Sequence, residues 1–177
     1  MNLLSEGLHS VLEATSEVQT CGQKNDLGPA ALPCLESYTA PEDGKVYIMY
    51  HGTSKELAQK IAQDGFRQSD DGMLGRGVYL SRDPQKASRY PLHLPVDQRV
   101  IVRVKVNVGG VMKIDRQGHP MQKTWHDNGY DTAWCPPNCG MVSSGLEEDC
   151  VWDPKRIIFI DVIHPKTQVE EGLCGIL

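Results

Sequence analysis

The sequence has little positive charge, no long apolar segment and no regular cysteine pattern, and each absence narrows the possible functions. Its 18 Lys and Arg residues stand against 23 Asp and Glu, which gives a formal net charge of −5. A protein that binds nucleic acid mainly through phosphates presents a basic face, so the net charge does not support a nucleic-acid partner. No apolar run approaches the roughly 18 residues that a membrane-spanning helix needs, so we expect no membrane partner.

The start of the chain and the cysteines indicate the compartment. The opening segment MNLLSEGLHSVLEATSE has no basic residue ahead of its apolar positions, as a secretory signal would have. We therefore expect the cytoplasm, with the nucleus as the alternative. The 6 cysteines are then expected to be reduced thiols, because their scattered spacing does not resemble a disulfide framework.

One pair of cysteines also has a spacing that zinc sites allow. Cys135 and Cys139 are separated by three residues, and His119 and His126 precede them. The two histidines are seven positions apart, however, and no second cysteine pair exists. We therefore expect no metal and regard these cysteines as turn residues.

Length and composition indicate one globular domain with an extension. A chain of 177 residues fits a single domain, and 40% hydrophobic residues are enough for a packed core. Residues 1–44 are predicted to be an N-terminal extension, with a short amphipathic helix over residues 2–14 and then a loop rich in glycine and proline. Residues 45–177 are predicted to be the folded domain.

The pattern over this domain predicts an α+β fold of many short strands and two or three short helices. The valines at alternate positions from Val100 to Val108 give the clearest strand. Ser54 and Asp83 are each expected to cap a helix, the second with Pro84 at its first position. Residues 115–147 are predicted to be a long loop, with one possible helical turn over residues 121–127. The other predicted elements are strands over 46–50, 78–81, 111–114, 151–152 and 157–163, and helices that extend to about residues 63 and 90.

Three motifs carry the residues that indicate chemistry, and the first is His51-Gly52-Thr53. It lies where the first strand ends, before the first helix. Histidine can hydrogen-bond a ligand hydroxyl, and glycine lets a ligand come close to the backbone. The alternative is a structural histidine that is hydrogen-bonded to a neighbour.

The second motif is the glycine-rich segment GMLGRGVYLS, residues 72–81. Tyr79 lies within it and Tyr90 lies eleven positions beyond Tyr79. Tyrosines beside a glycine loop can form a flat slot for an aromatic ring. The alternative is an ordinary turn with tyrosines in the core.

The third motif is Glu147-Glu148-Asp149, directly before the strand that leads to Trp152. Strand alternation predicts that Glu148 and Cys150 share one face of that strand while Asp149 lies on the other. The two acidic neighbours of Glu148, Glu147 and Asp149, are therefore expected to lie away from the face that Glu148 occupies. The alternative is a solvated acidic turn.

In this order and spacing, the three motifs together resemble the catalytic domain of PARP-type ADP-ribosyltransferases, the diphtheria-toxin-like class. The resemblance covers about residues 45–165 and is nearest to the small virus- and interferon-induced PARP-like proteins of fish. It implies the ADP-ribosyltransferase fold, a split, mixed or antiparallel β-core with short helices and a cleft. It also implies a role in innate immunity against viruses.

The resemblance implies a role for each motif in binding NAD+ as co-substrate. His51 would hydrogen-bond the adenosine ribose, and the backbone of Gly52 would clamp the nicotinamide carboxamide. Tyr90 would stack on the nicotinamide ring, with Tyr79 as the opposite wall. The implied cofactor-binding residues are His51, Gly52, Thr53, Tyr79, Ser88 and Tyr90.

The resemblance also implies the reaction, which is transfer of ADP-ribose to a protein or nucleic-acid acceptor with release of nicotinamide. The implied catalytic residues are Glu148, His51 and Tyr79. Glu148 would hold the 2′-hydroxyl of the nicotinamide ribose. Cleavage of the nicotinamide–ribose bond passes through an oxocarbenium-like state, which a nearby carboxylate stabilises.

Two departures from the family pattern support an alternative function. The family commonly has a serine three residues before the stacking tyrosine, whereas this chain has Ala87 there and Ser88 next to it. The segment 65–75, which matches the loop over the donor site, is also short. The alternative is therefore a catalytically weak or inactive module that binds NAD+, ADP-ribose or a protein.

Overall fold

The computed structural model describes residues 39–165, and within them the chain forms an α+β structure with two sheets and two short α-helices. The predicted fold class is confirmed at this level. The elements in chain order are β1 Val46–Ser54, α1 Lys55–Asp64, β2 Val78–Leu80, α2 Pro84–Ser88, β3 Arg99–Asn107, β4 Val111–Lys113, β5 Thr132–Cys135, β6 Glu148–Val151 and β7 Ile157–Ile163. Three 3-10 turns lie at Val96–Gln98, His126–Asn128 and Pro154–Arg156.

The first sheet has the order β1-β3-β7 and is antiparallel throughout. The valines of β3 are buried on one face, as their alternation predicted. Arg103 lies on the opposite face, where it pairs with Asp161 of β7. This face pattern places the first hydrophobic core on one side of the sheet. Its buried members are Met49, Ala58, Phe66, Val78, Leu80, Val100, Val102, Val104, Val106, Val108, Val151 and Ile157.

The second sheet has the order β2-β6-β5-β4, with β4 and β5 parallel and the other pairs antiparallel. β5 lies inside the segment 115–147, so the prediction of a continuous loop there is wrong. All four residues of β5 are buried, which leaves no polar alternation to mark it as a strand. A second hydrophobic core lies beside this sheet. Its buried members are Leu74, Ile114, Trp125, Ala133, Cys135 and Cys150.

The two sheets join where β1 meets the end of β2. The amide of Tyr50 donates to the carbonyl of Ser81 at 2.8 Å, and the amide of Ser81 donates back at 3.0 Å. β6 then connects the two cores, because Val151 lies in the first core and Cys150 in the second. The residue at the start of β6, Glu148, is thereby placed near the junction of the sheets.

The helix ends follow the capping signals in the sequence. Ser54 accepts a hydrogen bond from the amide of Leu57 at 3.2 Å, and Gly65 ends α1 with a φ of 80°. Asp83 caps α2 in the same way, through the amide of Gln85 at 2.8 Å. α2 ends at Ser88, two residues before the predicted end. Position 90 precedes a proline, and the residue before a proline is disfavoured in a helix.

The described part of the predicted extension is tied to the domain. The amide of Gly44 donates to the carbonyl of Gly109 at 2.8 Å, and the carbonyl of Thr39 accepts from Arg82 at 2.7 Å. The helix predicted over residues 2–14 lies outside the described residues. Across residues 39–165, no helix is both long and apolar enough to cross a membrane.

A close approach between α2 and β1 gives a test of this packing. A Cβ on Gly52 would lie 1.9 Å from the carbonyl oxygen of Ala87, whereas Gly110 has nothing nearer than 3.8 Å. We expect Gly52→Ala to lower the free energy of unfolding by about 1–3 kcal/mol, because α2 must move to relieve the contact. Gly110→Ala is the matched control. Urea titration of both variants decides the point, and equal stability would contradict the packing described here.

Candidate functional site

His51 lies within β1, because this strand continues to Ser54 rather than ending at residue 50 as predicted. Its Nδ1 is 2.8 Å from the carbonyl oxygen of Tyr79, and its ring meets Phe66 edge-on at 5.3 Å. Burial lowers the pKa of His51, and the hydrogen bond to the carbonyl opposes that only in part. The ring is therefore neutral near pH 7. Since a carbonyl only accepts, Nδ1 carries the proton and Nε2 is left as an acceptor for a ligand hydroxyl.

A cavity of about 500 Å³ opens beside this histidine, and we name it the His51 cavity. Its size lies within the range of small-molecule binding sites. α1 and the segment 64–69 form one wall, and β1 and β2 form the other. Residues that line it include His51, Thr53, Ile61, Phe66, Arg67 and Tyr79. Three of the predicted site residues, His51, Thr53 and Tyr79, thus share one cavity.

Tyr79 is held rigidly by the glycine-rich segment before it. Its hydroxyl donates to the carbonyl of Gly75 at 2.6 Å and accepts from the amide of Leu74 at 3.0 Å. A Cβ on Gly72 would lie 2.3 Å from the same hydroxyl, so only glycine fits there. Burial raises the pKa of Tyr79, and Cys150 adds to the effect. The hydroxyl is committed to the backbone, which leaves the ring as the part that can contact a ligand.

Lys86, a residue that sequence analysis missed, contacts both Glu148 and the ring of Tyr90. The Nζ of Lys86 is 3.4 Å from Oε1 of Glu148 and 5.4 Å from the centroid of the Tyr90 ring. Lys86 is 5% exposed and Glu148 17% exposed, so the pair is shielded from solvent. The signal in the sequence is the four-residue spacing of Lys86 and Tyr90, which places them on one side of a helical turn.

Gly52 and Ser88 lie on the two sides of the contact between β1 and α2. The missing side chain of Gly52 makes room for the carbonyl of Ala87 and for the Cβ of Tyr90. The hydroxyl of Ser88 donates to the carbonyl of Gln85 at 2.8 Å, so it is engaged within α2. Ser88 therefore does not replace, in this conformation, the serine hydroxyl that Ala87 lacks.

The predicted residues form two adjoining groups at the junction of the sheets. One group is the His51 cavity. The other contains Glu148, Lys86 and Tyr90. The strands connect them, since Tyr79 pairs with Cys150 two residues beyond Glu148. Tyr90 is 38% exposed, so part of its side chain is open to solvent, and the Lys86 ammonium lies between its ring and the carboxylate of Glu148.

Glu147 is a buried structural residue, so the alternative of a solvated acidic turn is wrong. Its carboxylate accepts from Nη2 of Arg82 at 2.7 Å and from the backbone amide of Arg82 at 3.0 Å. It also accepts from the indole nitrogen of Trp134 at 3.0 Å. The side chains of Arg82 and Glu147 are 3% and 2% exposed. Alternation sends Glu147 away from the face of Glu148, as predicted, but into the interior.

Asp149 is fully buried, and among residues 39–165 neither of its carboxylate oxygens has a hydrogen-bond partner. Burial raises its pKa well above the ordinary value, and the nearby charge of Glu147 raises it further against the opposing attraction of Arg82. The side chain points toward the first core, on the same face of β6 as Val151. It therefore takes no part in the Glu148 group.

The cysteine pair Cys135 and Cys139 is brought together, with 3.4 Å between the Sγ atoms. The two histidines of the zinc alternative are used elsewhere: His119 accepts from the amide of Met121, and His126 stacks on Trp152 at 3.7 Å. Over the described range 39–165, no three His, Cys, Asp or Glu side chains are grouped to hold a metal ion.

Comparison with known proteins adds no family assignment. No model of a known protein family matches the chain, and no curated protein is significantly similar to it. The site must therefore be interpreted from its own geometry.

The buried ion pair generates a stability prediction. Glu147→Gln leaves the guanidinium of Arg82 buried without a compensating charge, and removing one partner of such a pair costs about 3–5 kcal/mol. We expect a loss of this order in urea unfolding at pH 7. Glu42→Gln is the control, because Glu42 is exposed, and it should change stability by less than about 0.5 kcal/mol. Similar losses in both variants would contradict a special role for the pair.

The raised pKa of Asp149 leads to a prediction for the pH dependence of stability. Because the pKa of Asp149 is raised on folding, the native state binds more protons than the unfolded state above the unfolded pKa, and stability falls as pH rises. Asp149→Asn removes this proton linkage. We expect the variant to be more stable than wild type at pH 7, with the difference shrinking as pH falls toward about 4.

Thermal unfolding of wild type and variant across that pH range measures the effect. Asp70→Asn, at an exposed position, is the control and should follow the wild-type pH profile. A constant difference between Asp149→Asn and wild type at every pH would show that the carboxyl does not titrate as inferred.

Proposed function

We propose that this chain is an NAD+-dependent ADP-ribosyltransferase of the PARP type, which transfers ADP-ribose to a protein acceptor and releases nicotinamide. The observation that carries the proposal is the meeting of the three sequence motifs at one junction between two sheets. His51 and Tyr79 line one cavity there, and Glu148 and Tyr90 adjoin it. Nothing in the sequence spacing alone requires motifs from β1, the segment 72–81 and β6 to meet.

The architecture supports the finer fold assignment that the resemblance implies. The ADP-ribosyltransferase fold is expected to have a split β-core, and here the two sheets are joined by the Tyr50–Ser81 bridge. One sheet is antiparallel and the other mixed. A cytoplasmic enzyme that modifies proteins in the antiviral response would accord with the same resemblance.

The His51 cavity would take the adenosine end of NAD+. A ribose hydroxyl would donate to Nε2 of His51, which the bond to the carbonyl of Tyr79 leaves free to accept. Phe66 and Ile61 offer apolar surface to the adenine ring. The His51 ring is already fixed by the carbonyl of Tyr79 and by Phe66. The side chain therefore loses little conformational entropy when the ligand binds.

The nicotinamide end would lie against the ring of Tyr90, with Glu148 beside the attached ribose. Stacked aromatic rings prefer an offset arrangement, so the Tyr90 ring would fix the position of the nicotinamide, which is the leaving group. In this conformation Lys86 lies over the Tyr90 ring, 5.4 Å from its centroid. Ligand entry would therefore displace the Lys86 ammonium toward Glu148 or outward.

The reaction would proceed by transfer at C1′ of the nicotinamide ribose. The bond from C1′ to the ring nitrogen breaks, and its electron pair leaves with neutral nicotinamide. An acceptor side chain supplies the electron pair of the new bond to C1′ and loses its proton to Glu148 or to water. The carboxylate of Glu148 stabilises the positive charge that develops on the ribose in between. Lys86 orients this carboxylate in the free enzyme through the 3.4 Å contact.

A second function, a module that binds NAD+ or ADP-ribose without transfer, is favoured by one observation. Ala87 has no hydroxyl, and the neighbouring hydroxyl of Ser88 is engaged by the carbonyl of Gln85. One hydrogen bond to the carboxamide would then be missing, which weakens binding by about 0.5–1.5 kcal/mol. Incubation with labelled NAD+ separates the two functions, because only the enzyme places label on protein and releases nicotinamide.

The central prediction concerns Glu148→Gln, which keeps the side-chain shape and removes the negative charge. We expect ADP-ribose transfer to fall by roughly 100-fold or more, the effect of removing one preorganised group from a polar transition state. Binding of NAD+, measured by calorimetry, should change little because the cavity and the Tyr90 ring are intact. Glu42→Gln should transfer like wild type.

Two outcomes of this experiment would count against the proposal. Wild type that binds NAD+ without transfer or nicotinamide release would leave the binding module as the function. Undiminished transfer by Glu148→Gln would remove this residue from catalysis. A thermal transition recorded for each variant shows whether loss of the Lys86 partner has disturbed the fold.

The slot for nicotinamide is tested at Tyr90. Tyr90→Ala should weaken the binding of a nicotinamide-like inhibitor by about tenfold or more, since it removes stacking and buried apolar area together. Tyr90→Phe should retain most of the affinity. Leu92→Ala is the control, because Leu92 is apolar, nearby and 71% exposed. Equal affinities for wild type and Tyr90→Ala in calorimetry would place the slot elsewhere.

A further inference from the structure

A second cavity, of about 560 Å³, lies beyond the end of β6, and we name it the Trp152 cavity. It adjoins the His51 cavity, since Arg67 and Gln68 line both. The amide nitrogen of the Gln68 side chain donates to the carbonyl of Trp152 at 2.5 Å, which fixes this shared wall. Residues that line the Trp152 cavity include Arg67, Arg76, His126, Asp131, Trp152 and Arg156.

This cavity is rich in positive charge within a chain whose net charge is negative. Its acidic residues are already engaged: Asp131 pairs with Arg156 at 2.8 Å and accepts from the amide of Gly110 at 2.9 Å. Asp153 accepts from the amide of Lys155 at 2.9 Å. Three arginines, Arg67, Arg76 and Arg156, line the cavity against two aspartates, so its lining has an excess of positive charge.

Two guanidinium groups remain available for a ligand. Across residues 39–165, neither the Arg67 nor the Arg76 guanidinium has a hydrogen-bond or ion-pair partner, and the same holds for the indole nitrogen of Trp152. All three groups are donors. A ligand that satisfies them must bring several acceptor oxygens, and the two cations favour an anion.

Arg76 is held in place by an aromatic stack. Its Cζ lies 5.9 Å from the centroid of the Trp152 ring. Trp152 in turn stacks on His126 at 3.7 Å with only 7° between the planes, and Trp125 meets Trp152 edge-on. A guanidinium stacked on such a base loses less conformational freedom when it binds an anion than a free surface arginine does.

We propose that the Trp152 cavity is a binding site for a small phosphate ester, with Arg76 and Arg67 as the phosphate-binding residues. The planar guanidinium fork matches phosphate oxygens in a bidentate arrangement. The volume, about 560 Å³, leaves room for an organic group beside the phosphate and falls in the range of small-molecule binding sites. This site goes beyond the proposed transferase function and does not depend on it.

Calorimetric titration of the full chain with ribose 5-phosphate tests the site. Ribose is the matched control, because it differs only in lacking the phosphate. We expect ribose 5-phosphate to bind and ribose not to bind. Arg76→Gln and Arg67→Gln should each weaken binding at least tenfold. Arg116→Gln should bind like wild type, since Arg116 is an exposed arginine outside the cavity.

Three results would overturn the proposal. The first is the absence of ribose 5-phosphate binding to wild type at millimolar concentration. The second is equal binding of ribose, which would show that the phosphate is not recognised. The third is an equal loss in Arg76→Gln and Arg116→Gln, which would show only general attraction to positive charge. Because Arg67 and Arg76 are exposed, these variants test binding without disturbing the core.

Discussion

The buried ion pair of Arg82 and Glu147 is the interaction on which the geometry of this protein depends. It ties Arg82, two residues after β2, to Glu147, the residue before β6, and Trp134 of β5 donates to the same carboxylate. Arg82 also binds the carbonyl of Thr39, so a segment ahead of β1 joins the same cluster. Charges so deeply buried are tolerated only when fully hydrogen-bonded, and this requirement leaves few positions for the start of β6. The position of Glu148 follows from it directly.

Three consecutive acidic residues illustrate how strand geometry separates chemical roles. Glu147 is neutralised by Arg82, Glu148 contacts Lys86 at a partly open junction, and Asp149 is buried with no hydrogen-bond partner among residues 39–165. Alternation at the start of β6 separates Glu148 from its two neighbours, which both turn into the interior. Glu148, the carboxylate that could stabilise a developing cation, is thereby kept apart from the buried carboxyl groups of Glu147 and Asp149.

Local signals predicted the parts of the structure that depend on local physics. The caps at Ser54 and Asp83 and the alternating valines of β3 were correct, because capping bonds and one-sided burial are set by nearby residues. β5 was missed because burial on both faces removes the alternation that identifies a strand. For the site, the sequence predicted His51, Tyr79, Tyr90 and Glu148 as candidates. It missed Lys86, because the contact of Lys86 with Glu148 joins residues that are distant in the chain.

By itself the sequence determined the α+β class, most element boundaries and the three motifs, since composition, periodicity and capping act over a few residues. Only the tertiary structure decided that Glu147 is buried, that the hydroxyl of Ser88 is engaged, and that arginines from separate segments gather around Trp152. Each of these depends on contacts between residues distant in the chain. Such contacts are set by the register of paired strands and the packing of two cores, and no local pattern specifies them.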